Sequence, residues 1–353
     1  MEIRDYERKL RRAGLPLLIE DYSAREDVFT RAIPFLGFWF LAMCLNGSNL
    51  EWSAGANLAV IGIGLVVLLA PLVILNLRRG QRWYARPQRV GNVELAIFLL
   101  VPPVLPLIGG AQIGIAISSL IGNAFVLAIV YVVVGYGLLS ILRWSIARLL
   151  GQLRDSVTML AKAVPLLLFF ALVLFINSEM WQVFGQISDG NLAGVVTLFV
   201  GLGSIFLAVR LPSEVRELER RERVDPPLTR RQRFNVGLVM FVSYALQTLV
   251  VAVAIALFFV SFGLLTTSGE VINVWTGDEG ERVGSVTLFG STAIVTAELL
   301  RVSTAIASFS GLYYAIAVLT DATYRREFLG GFERSMERTF ALRREYLAAL
   351  RER

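Results

Sequence analysis

The residues best placed to do chemistry are a handful of polar side chains inside long apolar stretches. Glu298 and Arg301 stand three residues apart, so on a helix they share one face. A lone charge at the centre of a bilayer costs roughly 2.5–3.5 kcal/mol on insertion scales, so such a pair lines a polar cavity or an ion path, or neutralises itself near a membrane surface. Counting back from Asp321 places Arg301 near the outer boundary, which favours mutual pairing. Gln247, Thr248 and Asn123 are the other polar pathway candidates, each able to touch a substrate or to bond a neighbouring helix. Ser303, Ala307 and Gly311, spaced by four, form a small-residue stripe suited to close helix packing.

Much chemistry is excluded. The chain has no histidine and a single cysteine, Cys44. There is therefore no Ser-His or Cys-His nucleophile pair, no HExxH zinc site and no internal disulfide. No GxxxxGK[ST] loop is present, so nucleotide binding of the P-loop kind is not expected. The acidic loop 265–285, with Glu270, Asp278, Glu279 and Glu281 beside Arg282, lacks EF-hand spacing. No catalytic residue, metal site or cofactor is expected from these patterns. An enzyme working with carboxylates and arginine alone, on a lipid-linked substrate at the outer face, is the one catalytic reading left.

These side chains must be held by membrane helices. Of 353 residues, 56% are hydrophobic, and the mean hydropathy is +0.64. The excess falls in blocks such as 250–260 (VVAVAIALFFV), which do not alternate in polarity as a β-barrel would. Crossing the hydrocarbon takes about 20 apolar residues, with every backbone group bonded within the segment, so each block should be a helix. The expected architecture is an all-α polytopic bundle of about eight spans: 32–47, 57–77, 94–109, 120–142, 163–178, 192–209, 236–264 and 294–320.

The charges set the orientation. The segments 1–31, 78–93, 143–162, 210–235 and 321–353 hold 32 of the 34 Lys and Arg residues, and only Arg282 and Arg301 remain elsewhere. Basic residues stay on the cytoplasmic side, which predicts both termini inside and a plasma-membrane location. The net charge of +6 is explained by this rule and by attraction of anionic lipids to arginine clusters such as Arg78-Arg79 and Arg230-Arg231-Arg233; no nucleic-acid partner is inferred. Trp52, Trp83, Trp144, Trp181 and Trp275 fall outside or just beyond the spans, as an interfacial belt would; Trp39 lies inside one.

Other segments carry local signals. Residues 142–160 form an amphipathic helix through Leu142, Ile146, Leu149, Leu153, Val157 and Leu160. Ser213 is an N-cap candidate for a helix over 213–223, with Glu219 and Arg223 paired at i,i+4 and Pro226-Pro227 ending it. Asn177 and Glu179 mark the outer end of the fifth span. Three prolines (Pro102, Pro103 and Pro106) kink or unwind the third span. Segments 111–123 and 286–296 read as re-entrant or interfacial. The tail 321–353 should be a helix with Phe328, Phe332, Met336, Phe340, Leu347 and Leu350 on one face and Arg334, Glu337, Arg338 and Arg344 on the other, bent near Gly330-Gly331.

The strings 14–36 (GLPLLIEDYSAREDVFTRAIPFL), 175–183 (FINSEMWQV) and 309–328 (FSGLYYAIAVLTDATYRREF) resemble an uncharacterised family of polytopic membrane proteins from actinobacteria. The resemblance implies a plasma membrane in a Gram-positive-type cell and no particular activity. Two functional readings stand side by side. One is a transporter or channel for a small solute or lipid. The other is a non-catalytic scaffold or accessory subunit of an envelope assembly, with a protein partner or as a homo-oligomer.

Overall fold

The computed structural model describes residues 2–20, 22, 28–46, 92–108, 112–147, 168–278, 280–288 and 290–352, with isolated positions between 55 and 77. The expected second span (57–77) lies largely outside the described residues, and so do 148–162 of the amphipathic segment. The chain divides into two compact units, Glu7–Ser140 and Met1–Tyr6 with Ile141–Arg353.

In the smaller unit the helices are α1 (Ile3–Arg12, shared with the larger unit), α2 (Thr30–Asn46), α3 (Asn92–Ile108) and α4 (Ile113–Gly135). Val28, Ala32, Leu36 and Phe40 recur every four residues and meet Phe98 of α3 and Val126 and Val130 of α4 in one buried cluster. The segment expected to be re-entrant at 111–123 is, from Ile113 on, the first half of the unbroken 23-residue α4. Its Gly and Ser residues do not stop the helix, since each costs it only about 0.5–1 kcal/mol relative to alanine. Helix α3 likewise continues past all three prolines.

The larger unit holds α5 (Leu138–Ala147, from Ile141 on), α6 (Leu168–Ile176), α7 (Ser178–Gly185), α8 (Asp189–Arg221), α9 (Arg230–Thr266) and α10 (Gly269–Thr276). There follow strands β1 (Arg282–Leu288) and β2 (Ser291–Thr296), then α11 (Ala297–Thr320) and α12 (Ala322–Arg351). The strands pair antiparallel, Leu288 against Ser291, with Gly290 at φ +85° in the turn and a bulge between Arg282 and Gly284. This hairpin replaces the re-entrant segment expected at 286–296. Val283, Val286, Thr287, Thr292, Ile294, Val295 and Thr296 are β-branched, the residue type that strands favour, an enrichment that the mean apolarity of the window concealed.

Among the described residues four helices, α4, α8, α9 and α11, are long and apolar enough to cross a membrane. The α6–α7 pair, bent by 77°, brings the number to five when it is counted as one broken span. Their exposed surface is dominated by large apolar side chains, including Phe125 on α4, Ile205 and Val209 on α8, and Leu249 and Leu257 on α9. Water-soluble monomers rarely tolerate apolar patches of that extent, whereas lipid does. The chain is thus a helical protein built for a bilayer.

Helix α11 is the axis of the larger unit. Some 67% of its apolar window is buried inside the protein, against 11% for α8 and 22% for α9. The small-residue stripe explains how. A side chain added at Gly311 would stand 3.2 Å from Ala252 Cβ of α9, so any larger residue would push α9 away by a few tenths of an ångström. At Gly263 of α9 the added carbon would overlap Leu299 of α11 and come 3.0 Å from Phe175 of α6.

Helices α8 and α9 outlast the membrane. At 1.5 Å per residue, the 33 residues of α8 and the 37 of α9 run to about 50 and 55 Å, against a hydrocarbon thickness of about 30 Å. The helix expected to start at Ser213 is therefore no separate element: α8 passes straight through Pro212, and the Ser213 hydroxyl donates back to Arg210 O at 2.6 Å. Helix α12 runs unbroken past Gly330-Gly331, burying Phe332, Met336, Phe340 and Tyr346 while Arg334, Glu337 and Arg338 are exposed. Phe332 lies 6.2 Å from Trp144 of α5 and 5.9 Å from Tyr244 of α9. On α5 the buried positions are Ile141 and Ser145, so the expected apolar stripe at Leu142 and Ile146 faces outward instead.

Replacing Gly263 by Leu should lower the thermal unfolding midpoint of the detergent-purified protein, at a cost of about 1–3 kcal/mol from overpacking against Leu299 and Phe175. A midpoint equal to wild type would show that α6 and α11 do not press on α9 there.

Candidate functional site

Two clusters of polar side chains stand out in the larger unit, one at each end of its long helices, and a third polar link lies in the smaller unit.

The first cluster gathers at the start of α11. Thr296 caps that helix, accepting from Leu299 N. Glu298 Oε2 accepts from Glu281 N at 3.0 Å, and Ala297 N donates to Glu281 O at 2.9 Å, so the strand entry is bolted to the helix start. Arg301 does not pair with Glu298 among the described residues. It donates instead from Nε to Asp189 Oδ1 (3.1 Å) and from NH1 to Gly185 O (3.1 Å), with Glu281 Oε2 at 4.0 Å. Gly185 closes α7 and Asp189 opens α8, so the guanidinium sits where a C-terminal helix end offers a carbonyl and an N-terminal end carries an acid. A donor fork spanning two helix ends fits this geometry better than an i,i+3 contact along one helix would.

The second cluster lies at the other end of α8 and α9. Glu219 accepts from Arg233 Nε (2.8 Å) and NH2 (3.2 Å) and from Leu228 N (2.7 Å). The expected Glu219–Arg223 pair is not formed. Arg223 is the residue just past the helix, at φ +46°, and Val224 N returns to Glu219 O at 3.2 Å. Burial works to raise the Glu219 pKa, but the bonds from Arg233 and Leu228 and the charges of Arg233 and Arg343 outweigh it, leaving the carboxyl below its ordinary value. Helix α12 closes over the same loop: Arg343, 2% exposed, donates to Pro226 O at 2.8 Å, Arg344 to Glu222 O at 3.3 Å, and Glu333 accepts from Arg221 at 3.2 Å. Thr229 and Gln232 cap α9 reciprocally.

In the smaller unit Asn123, fully buried, accepts from Trp39 Nε1 at 3.0 Å and donates to Phe98 O at 3.1 Å. Pro102 has no N–H to give the carbonyl four residues back, which is that of Phe98. Asn123 supplies the missing donor. Trp39, the one tryptophan inside an expected span, finds its polar partner here.

Gln247 and Thr248 are placed on α9, where a side chain at Gly311 of α11 would stand 3.8 Å from Thr248 Cγ2. Gln247 Oε1, Thr248 Oγ1 and Ser303 Oγ are buried with no hydrogen-bond partner among the described residues. The five candidates are therefore not one site. Glu298 and Arg301 join one cluster, Gln247 and Thr248 lie deeper along α9 with Thr248 against α11, and Asn123 belongs to the other unit. Asp189, Glu281, Arg233 and Arg343 were missed, since their partners lie 14 to 117 residues away in sequence. Trp181 was taken for an interfacial residue and is fully buried, its Nε1 donating to Phe175 O at 2.7 Å and its ring 5.2 Å from Trp275.

No protein-family model, curated protein or solved structure matches the chain.

Asn123→Ala should destabilise the protein by about 1–3 kcal/mol, because a carbonyl and an indole N–H are left buried and unbonded; thermal unfolding in detergent reads this. For Glu219 the lowered folded-state pKa means that the unfolded chain takes the proton first as pH falls. Its stabilisation is present above the unfolded value of about 4.3 and lost as pH drops through the lower folded value. The stability gap between wild type and Glu219→Gln should therefore be widest near neutral pH and close below about pH 4.

Proposed function

We propose that this protein is a multi-pass plasma-membrane subunit, with about eight spans and both termini in the cytoplasm, that holds an ordered cytoplasmic platform for a partner protein and performs no catalysis. The observation that carries the reading is the clamp of α12 over the α8–α9 loop, centred on the buried Arg343 guanidinium and Pro226 O. A helical hairpin projecting about 20 Å beyond the hydrocarbon, locked by a 30-residue helix, presents a rigid surface. Arg334, Glu337 and Arg338 form an exposed row on α12. Two of the polar residues first suspected of lining a path, Arg301 and Asn123, are consumed in fastening helix ends and a freed carbonyl.

Transport of a small solute is the second reading, supported by the unsatisfied Gln247 Oε1 and Thr248 Oγ1 between α9 and α11. Buried polar atoms in a membrane helix bundle are where a substrate or its water would bind. Substitutions at Glu298 or Arg301 do not separate the readings, since both side chains are structural; Gln247→Leu with Thr248→Val does.

Reversing the charges of Arg334, Glu337 and Arg338 should leave the protein folded and membrane-inserted, yet strip a stoichiometric partner from it in gentle purification from native membranes, read by mass spectrometry. Retention of every companion by the variant, together with solute flux in reconstituted vesicles that falls in Gln247→Leu/Thr248→Val, would establish transport instead. For orientation, with Cys44 changed to Ser, a cysteine introduced at Asp278 should react with an impermeant thiol reagent on intact cells and one at Arg334 only after permeabilisation.

A further inference from the structure

Beside the Glu219–Arg233 pair lies an open groove of about 640 Å³ lined by Ser213, Arg216, Arg220, Arg223, Pro227 and the pair itself. Arg216 and Arg220 stand four residues apart on the last turns of α8, and Arg223 follows in the turn just past the helix; all three line the groove. Arg220 is occupied by Glu217 at 2.7 Å. Arg216 and Arg223 are exposed and make no ion pair among the described residues. The one acid in the groove, Glu219, is saturated by three donors and leaves the cations uncompensated. We propose that this groove binds a multiply charged, phosphate-bearing anion, gripped by Arg216 on α8 and Arg223 in the turn after it.

Three features favour this over a merely solvated basic surface. The two unpaired guanidiniums, Arg216 on α8 and Arg223 in the turn after it, line the same groove, so one extended polyphosphate can engage both. Arginine forks match phosphate oxygens in pairs. The left-handed turn at Arg223, closed by Val224 N on Glu219 O, sets that residue on the same groove as Arg216.

The depth bears on the source of the anion. Arg210 is the first charge after the apolar run of α8, so Arg216 lies about 9 Å and Arg223 about 20 Å further along. The headgroup zone is only about 5–8 Å deep on each side. The groove therefore takes a soluble polyphosphate or a lipid whose headgroup extends well past the first phosphate. The proposal holds whether the protein scaffolds or transports; it requires only that the groove open to water.

Full-length protein in phosphatidylcholine nanodiscs, at about 150 mM salt to screen non-specific attraction, would be titrated calorimetrically with inorganic tripolyphosphate. In a second arm, nanodiscs doped with phosphatidylinositol bisphosphate would be scored for retained lipid by native mass spectrometry. We expect one anion per chain in at least one arm. Arg216→Gln/Arg223→Gly should weaken it about tenfold or more, while Arg230→Gln/Arg231→Gln, an equal loss of charge outside the groove, should weaken it less than about threefold. Because glycine suits the backbone at 223, the first variant should unfold no earlier than wild type, so lost binding cannot be lost folding. Tripolyphosphate binding identifies a soluble ligand, and retention of the lipid alone identifies a headgroup. Binding in neither arm, or equal weakening by the two variants, overturns the proposal.

Discussion

The constraint on which the structure rests is that a carbonyl removed from water must have a donor. A continuous helix satisfies this by itself, and α9 does so for 37 residues. Wherever the ladder is broken, a side chain from elsewhere completes it. Pro102 frees Phe98 O, and Asn123 takes it. At the bend after Ile176, Asn177 Oδ1 captures Glu179 N, which frees Phe175 O for the Trp181 indole. Arg301 takes Gly185 O at the end of α7, and Arg343 and Arg344 take Pro226 O and Glu222 O in the loop after α8. The tertiary fastenings are thus placed where the secondary structure is incomplete.

This arrangement sets the division of labour in the larger unit. Helix α11 supplies the buried axis because its stripe of small residues lets α9 come close; the apolar flanks of α8 and α9 are left to face lipid. Polar fastening is confined to the two ends, where water competes but geometry is demanding. Arg301 illustrates the balance. Its partner Asp189 is 86% exposed, so the ion pair alone is worth little, and the value of the contact lies in the carbonyl it also satisfies.

What could be read from the sequence follows from range. Apolar blocks and the buried stripe of α12 through Phe332, Met336 and Phe340 are patterns within a few residues, and the structure shows helices at those it describes. The expectations that differ from it concern choices between a near and a far partner. Glu219 had Arg223 four residues on and bonds Arg233 fourteen residues on, because the chain turns at 222–229 and brings α9 alongside. Glu298 had Arg301 three residues on, and both look outward to the loops. Ser213 has the side chain of an N-cap, yet α8 runs on through Pro212 and the hydroxyl donates back to Arg210 O. The β1–β2 hairpin was hidden because windowed apolarity does not register an enrichment in β-branched residues.

The continuity of α8 and α9 has a mechanical consequence. Neither helix breaks between its lipid-facing stretch and its projecting end, and the clamp of α12 ties the two projecting ends together. The pair is therefore a lever with its pivot in the bilayer. Membrane helices tilt by tens of degrees with bilayer thickness, and a change of only about 10° would swing an arm of about 20 Å through about 3–4 Å at its tip. A surface mounted this way moves with the tilt of the two helices beneath it, through rigid geometry.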